Sequence, residues 1–181
     1  MSEISIDEML DVSLQTRELF KSDIGYFTST YIHSDIGQNF FVQDSISFIK
    51  KAATVKGLHL QNSPFGQGKL VTVLQGEIID YIVDLRISSS TYLHHAKVTI
   101  SQENKNILFI PRGFAHGYIT TNENTMISYK VDNHYSPEHE RTINWQDNVL
   151  DLEWPKFNEY FLSEKDKDAK TLKELDISTD E

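Results

Sequence analysis

Cysteine is absent from the 181 residues, which removes disulfides, thiolate metal sites and cysteine nucleophiles together. No run of 18 apolar residues occurs, so no transmembrane helix and no membrane partner are expected. The opening residues, MSEISIDEML, carry acids where a secretory signal would carry bases and an apolar stretch. A cytoplasmic chain is the expectation. No block of Lys or Arg appears either, and 17 basic against 27 acidic residues give a formal charge of −10. That balance argues against nucleic acid as a partner. Internal repeats and low-complexity linkers are also missing, and the length fits a single domain over residues 1–181.

The acidity that is present is uneven. Residues 1–23 hold six acids against two bases, and 164–181 hold seven against four, so the stretch between is nearly neutral and can host an anionic ligand. From Lys69 onward the apolar residues keep a strand rhythm. Val71 and Val73 share a face, Gln75-Gly76 reads as a turn, and Ile79, Tyr81, Val83 and Leu85 alternate with Asp80 and Asp84. Further β-rich runs are Ala96–Ile100, Ile107–Ile110, Tyr118–Thr121 and Met126–Val131, separated by short polar or Gly/Pro breaks. Many short strands at this spacing predict a sandwich or barrel. Only Ser163–Leu175 looks helical, with Ser163 as N-cap and Asp166 at the third helical position. The fold class is all-β with a short C-terminal helical segment and polar ends.

Four stretches offer chemistry. In Lys56-Gly-Leu-His-Leu-Gln61, a strand would turn Gly57, His59 and Gln61 to one face and Leu58 and Leu60 to the other. His59 is then either a hydrogen-bonded structural histidine or a general base titrating near neutrality. Lys69 follows Gly66-Gln67-Gly68 and is either a solvated strand end or a cation set against an oxyanion or phosphate. Ile110 to Tyr118 holds a proline and two glycines, a tight corner with His116 at its exit and Phe114 as a packing residue. Tyr129 alternates with Ile127 and Val131, so it is an inward core tyrosine or a phenol that delivers a proton.

Seven histidines on a β-rich chain raise the question of metal. A barrel site wants two His two apart on one strand, with a carboxylate and a further His nearby. Position 61 is Gln, His94 and His95 would face opposite ways, and His134 and His139 flank a loop with Pro137. No metal site is expected.

In order along the chain stand Phe41-Val-Gln-Asp44, Gly57-Leu-His-Leu-Gln61, Gln67-Gly-Lys-Leu-Val71, Gly76-Glu-Ile-Ile-Asp80 and Val83-Asp-Leu-Arg86. Ser90-Thr91, Ile110-Pro-x-Gly-Phe-Ala-His-Gly117, Tyr129-Lys130 and Tyr135-Ser-Pro137 follow. Trp145-x-Asp147, Glu153-Trp-Pro155 and Leu162-Ser-x-Lys-Asp166 complete the set. Over residues 20–170 the chain thereby resembles the dTDP-4-dehydrorhamnose 3,5-epimerase family of nucleotide-sugar epimerases.

The resemblance implies a double-stranded β-helix (jelly roll, cupin-like) working as a homodimer, with no metal and no organic cofactor. It implies inversion of carbon 3, carbon 5 or both in a 4-keto-6-deoxyhexose carried on a nucleoside diphosphate. In this set His59 is the base and Asp166 its partner carboxylate, Lys69 stabilises the enolate oxygen, and Tyr129 returns a proton on the opposite face. Lys56, Gln43, Ser45, His116, Tyr26, Ser29 and Tyr135 form the implied substrate-binding group. The alternatives are a single-site epimerase for another nucleotide sugar and a non-catalytic sugar-binding jelly roll.

The chain also departs from the family pattern. Ile24 stands where the family has Arg, Ser29 where it has Glu, Ser45 where it has Asn, and Lys56 where it has Arg. Lys56 keeps a charge without the planar fork that grips phosphate in two places. The proton-transfer set is intact, and the nucleotide clamp is altered.

Overall fold

A computed structural model describes residues 2–36 and 40–179. The strands are β1 (Ser13–Thr16), β2 (Phe20–Ser22), β3 (Gly25–Phe27), β4 (Gln43–Ile49), β5 (Val55–Gln61) and β6 (Lys69–Gln75). They continue as β7 (Glu77–Asp84), β8 (His95–Ser101), β9 (Asn106–Ile110), β10 (Phe114–Thr120), β11 (Thr125–Val131) and β12 (Glu140–Thr142). One helix, α1 (Glu164–Lys167), and 3-10 turns at Ile6–Glu8, His33–Ile36 and Leu172–Glu174 complete the described elements. Two five-stranded antiparallel sheets form, in the orders β1-β9-β6-β11-β4 and β12-β5-β10-β7-β8, with β2 and β3 as a separate hairpin. From β5 to β7 and from β8 to β12 successive strands change sheet, which is the winding of a jelly roll.

The β7 sequence shows why the layers stack as they do. Ile78 and Ile82 point into the space between the sheets and pack with Val71, Val73, Leu108 and Ile127. Tyr81 and Val83 point the other way and pack with Leu58, Leu60, Ile119 and Trp145. A strand apolar on both faces must be covered on both, and residues 143–177 supply the second cover. Trp154, Phe157, Tyr160 and Leu162 lie against that outer face. The Tyr81 and Trp154 ring centroids are 4.0 Å apart, and the Tyr81 hydroxyl donates to the Glu153 carbonyl at 2.7 Å. Asp80 and Asp84, which alternate with the apolar residues of β7, are fully buried, because both faces of the strand are inside the molecule.

Three expectations need correction. The helix foreseen over Ser163–Leu175 is only α1 and a later 3-10 turn. The backbone between them is taken by the sheet edge, where Lys170 bridges Ile143 and its carbonyl accepts from Asn144 N–H at 2.8 Å. His116 does not stand at the exit of a corner. The turn is confined to residues 111–113, where Gly113 adopts a φ of +83°, and His116 lies inside β10. The ends, polar in composition, are packed: Met9 is buried in the inter-sheet core, and Leu172, Leu175 and Ile177 lie on the outer cluster.

Candidate active site

Between the two sheets lies a cleft of about 320 Å³. Lys56 and His59 of β5 with His116 and Tyr118 of β10 form one wall. Gln43 and Ser47 of β4, Lys69 and Val71 of β6, and Ile127, Tyr129 and Val131 of β11 form the other.

On the first wall His59 Nε2 is 2.7 Å from Asp166 Oδ1. The carboxylate comes from the C-terminal segment, which the bridge between Thr54 and Phe161 holds beside β5. Ser163 caps α1 by accepting from Asp166 N–H and donates its hydroxyl to Asp166 Oδ2 at 2.5 Å, while Gly57 N–H donates to Oδ1 at 3.1 Å. Burial alone would raise the Asp166 pKa, but the bonds from His59, Ser163 and Gly57 outweigh it and hold the carboxyl below its usual value. An ionised carboxylate only accepts, so Nε2 donates to it and Nδ1 is left as the nitrogen able to take a proton. Gly57 is required here by its neighbours. At φ +94° a Cβ would meet the His116 carbonyl oxygen at 2.7 Å and Gly117 Cα at 2.9 Å.

His116 is the register partner of His59 and sets its Nδ1 3.3 Å from Asp80 Oδ1. Burial, and next the nearby Lys69 charge, pull its pKa down against the attraction of Asp80. Lys69 begins β6 beside Val131 and Ile110. Burial draws its ammonium down to about 8, partly offset by Asp80 and Glu140. Tyr129, paired with Ser45 and Val71 in register, brings a phenol to the same wall as Lys69.

Sequence reasoning missed Glu140 and Lys165, which line the cleft. Lys165 forms an ion pair with Glu140, and the Tyr135 hydroxyl donates to the other Glu140 oxygen at 2.6 Å. Glu140 is held below its usual value despite burial, which acts the other way, by Lys165 and Tyr135. Their only sequence signal was a polar run, since β12 is three residues long and Lys165 sits on a one-turn helix. Tyr118 and Ser47 were likewise passed over.

Of the expected residues, His59, Asp166, Lys69, Tyr129, His116, Lys56, Gln43 and Tyr135 line this cleft. Ser45 sits beside it on β4, accepting from Gln43 Nε2 at 2.9 Å. Tyr26 and Ser29 are elsewhere, at a small separate hollow with Thr72 and Lys105, where Lys105 Nζ donates to the Tyr26 hydroxyl at 2.9 Å. Among the described residues, no group of three or more His, Cys, Asp or Glu converges on a metal position.

Comparison with known proteins bears on this geometry. A family model described as dTDP-4-dehydrorhamnose 3,5-epimerase matches residues 7–174. The chain is 39% identical to the dTDP-4-dehydrorhamnose 3,5-epimerase of Sinorhizobium fredii, covering 98% of this chain and 97% of that one. To that of Salmonella typhimurium it is 40% identical, covering 90% and 91%. Among solved structures, the Bacillus anthracis dTDP-4-dehydrorhamnose 3,5-epimerase with TDP and PPi bound superposes with a TM-score of 0.87 at 38% identity, over 91% of this chain and 96% of that one. A Legionella pneumophila dTDP-6-deoxy-D-glucose-3,5-epimerase in complex with dTDP-4-keto-L-rhamnose gives 0.88 at 34% identity, over 93% and 92%.

Proposed function

The chain belongs to the dTDP-4-dehydrorhamnose 3,5-epimerase family, and from that premise we propose how its own cleft inverts carbon 3, carbon 5 or both of a 4-keto-6-deoxyhexose on a nucleoside diphosphate. A ketone at carbon 4 acidifies both neighbouring C–H bonds, so each inversion needs a base on one face of the ring and an acid on the other. His59 Nδ1 removes the proton, and Asp166 orients the imidazole and stabilises its charged form. The Lys69 ammonium faces the oxygen that gains charge as the enolate forms. Tyr129 delivers the returning proton.

The observation that carries this reading is the placement of these side chains on two facing sheets. The His59–Asp166 pair stands on the β5–β10 wall, and Lys69 and Tyr129 stand on the β6–β11 wall. A flat ring held between them meets a base from one side and an acid from the other. Lys56, and Lys165 in its pair with Glu140, supply positive charge to the diphosphate, with Gln43, Tyr135 and His116 around the sugar and Ser45 beside them. The test is solvent deuterium uptake into a thymidine-diphosphate 4-keto-6-deoxyhexose in heavy water. His59→Ala should lower it by roughly 10²–10⁴-fold while the protein stays folded. Undiminished uptake in a folded variant would remove His59 from the role of base.

We also propose that the working form is a homodimer. The β2–β3 hairpin carries Phe20, Ile24, Tyr26 and Phe27 out into solvent, Ile24 at 99% exposure, and the edge strand β4 exposes Ile46 and Phe48. Such apolar surface fits a second copy of the chain. Tyr26 and Ser29, remote from the cleft of their own chain, would then serve the nucleotide in the cleft of the partner.

A further inference from the structure

Tyr118 is a second phenol in the cleft, and the reaction as described does not use it. It lies two residues beyond His116 on β10, so its side chain leaves the same face of the sheet. Register pairs it with Lys56 on β5 and with Asp80 on β7. Its ring belongs to the inter-sheet core with Ile78, Val73 and Ile127, while the residue also lines the cleft. It is therefore the floor on which the cleft ends.

The floor is polar where packing alone would make it apolar. A Phe would fill the same space among those aliphatic neighbours. The Tyr118 hydroxyl instead faces the side chain of Ser47, which comes from the opposite sheet and also lines the cleft. Ser47 is the register partner of Ile127, one face-repeat along the strands from the Ser45–Tyr129 pair. The two hydroxyls thus lie deeper along the sheets than Tyr129. Burial, only partly opposed by Ser47, pushes the Tyr118 phenol far above its ordinary value, so it keeps its proton at any working pH. It also stands on the wall of the base rather than that of the acid. Both facts remove it from proton transfer and leave it a neutral hydrogen-bonding group. Two hydroxyls hold two protons and four lone pairs, more than a single mutual contact would use, so the pair can both donate to and accept from a ligand.

We propose that Tyr118, with Ser47, is a specificity-determining element that hydrogen-bonds a ring hydroxyl of the ketosugar and so selects hexoses hydroxylated at the carbon reaching the floor. This rests on the reading of the cleft as the ketosugar site. A site built to bond a substrate hydroxyl discriminates strongly against the analogue lacking it, because its own polar groups are then left unpaired.

The experiment measures kcat and KM for deuterium uptake at carbon 5. The substrates are a thymidine-diphosphate 4-keto-6-deoxyhexose and its 2-deoxy and 3-deoxy forms. With the wild type, one deoxy form should show a KM higher by roughly tenfold or more. In Tyr118→Phe that penalty should disappear, with the loss on the parent sugar falling on KM rather than kcat and the melting temperature preserved. Ser47→Ala should reduce the same penalty in part. Equal deoxy penalties in wild type and Tyr118→Phe would overturn the inference, as would a fall in kcat at constant KM. Absence of uptake by the wild type at both carbon 3 and carbon 5 of the parent sugar would instead overturn the ketosugar reading itself, and this inference with it.

Discussion

In the proposed reaction Lys69 is the side chain that supplies positive charge to the enolate, and its surroundings resist that charge. Burial lowers its pKa to about 8, Asp80 and Glu140 pull it back up, and Lys165 adds to the fall. The protonated form is the one that stabilises an enolate, so kcat/KM should decline as pH rises through about 8. Asp80→Asn removes an anion that favours the ammonium, and the alkaline limb should move to lower pH. A limb that stays in place would show that Asp80 does not act on Lys69. His59 and Tyr129 could be aimed from the sequence because a two-residue period fixes which way a strand side chain points. Asp166 was reachable through its Ser163 cap, but its pairing with His59 depended on the resemblance. Glu140, Lys165 and Tyr118 were not legible. The first two reach the cleft by folding back across more than 70 residues from His59, and Tyr118 reads in sequence as one more core aromatic.

Among the elements, β7 and the loop that follows it illustrate what alternation conceals. Asp84 is fully buried, yet it accepts from Arg86 Nε at 3.0 Å and Nη2 at 2.8 Å, from the Ser89 hydroxyl at 2.6 Å and from the Thr91 hydroxyl at 2.7 Å. Burial would raise its pKa, but these bonds hold the carboxyl below its usual value. Arg86 also bonds Asp11 at 2.9 Å, stacks over the Phe114 ring and so ties the N-terminal segment to the start of β10. Breaking a buried pair by removing one partner costs about 3–5 kcal/mol. In a domain of this size Asp84→Ala should therefore lower the melting temperature by roughly 6–20 °C. A shift within a degree or two would mean the network is solvated and contributes little. The strands after Lys69 were legible because their turns carry polar or Gly/Pro signals. The extent of the C-terminal helix was not, since its residues favour a helix locally and a sheet-edge bridge at Lys170 overrides that preference.

For the whole molecule, a sandwich or barrel was legible in the number and spacing of strands, and its jelly-roll winding only through the resemblance. The outer cover by residues 143–177 was not legible, because nothing local says which face Trp154 or Tyr160 will meet. The exposed hairpin leads to a claim about assembly. Ile24→Asp with Phe27→Ser should convert a dimer to a monomer in sedimentation and weaken nucleotide-sugar binding, while a monodisperse wild-type monomer with full activity would contradict the dimer. The central claim is that one sheet removes the proton and the other returns it. Tyr129→Phe tests it most directly, by following deuterium uptake and inverted product together from a thymidine-diphosphate 4-keto-6-deoxyhexose in heavy water. With His59, Asp166 and Lys69 untouched, the variant should still exchange the carbon-bound proton with solvent but yield far less inverted sugar. Loss of exchange and inversion in equal measure, or retention of both, would contradict the account.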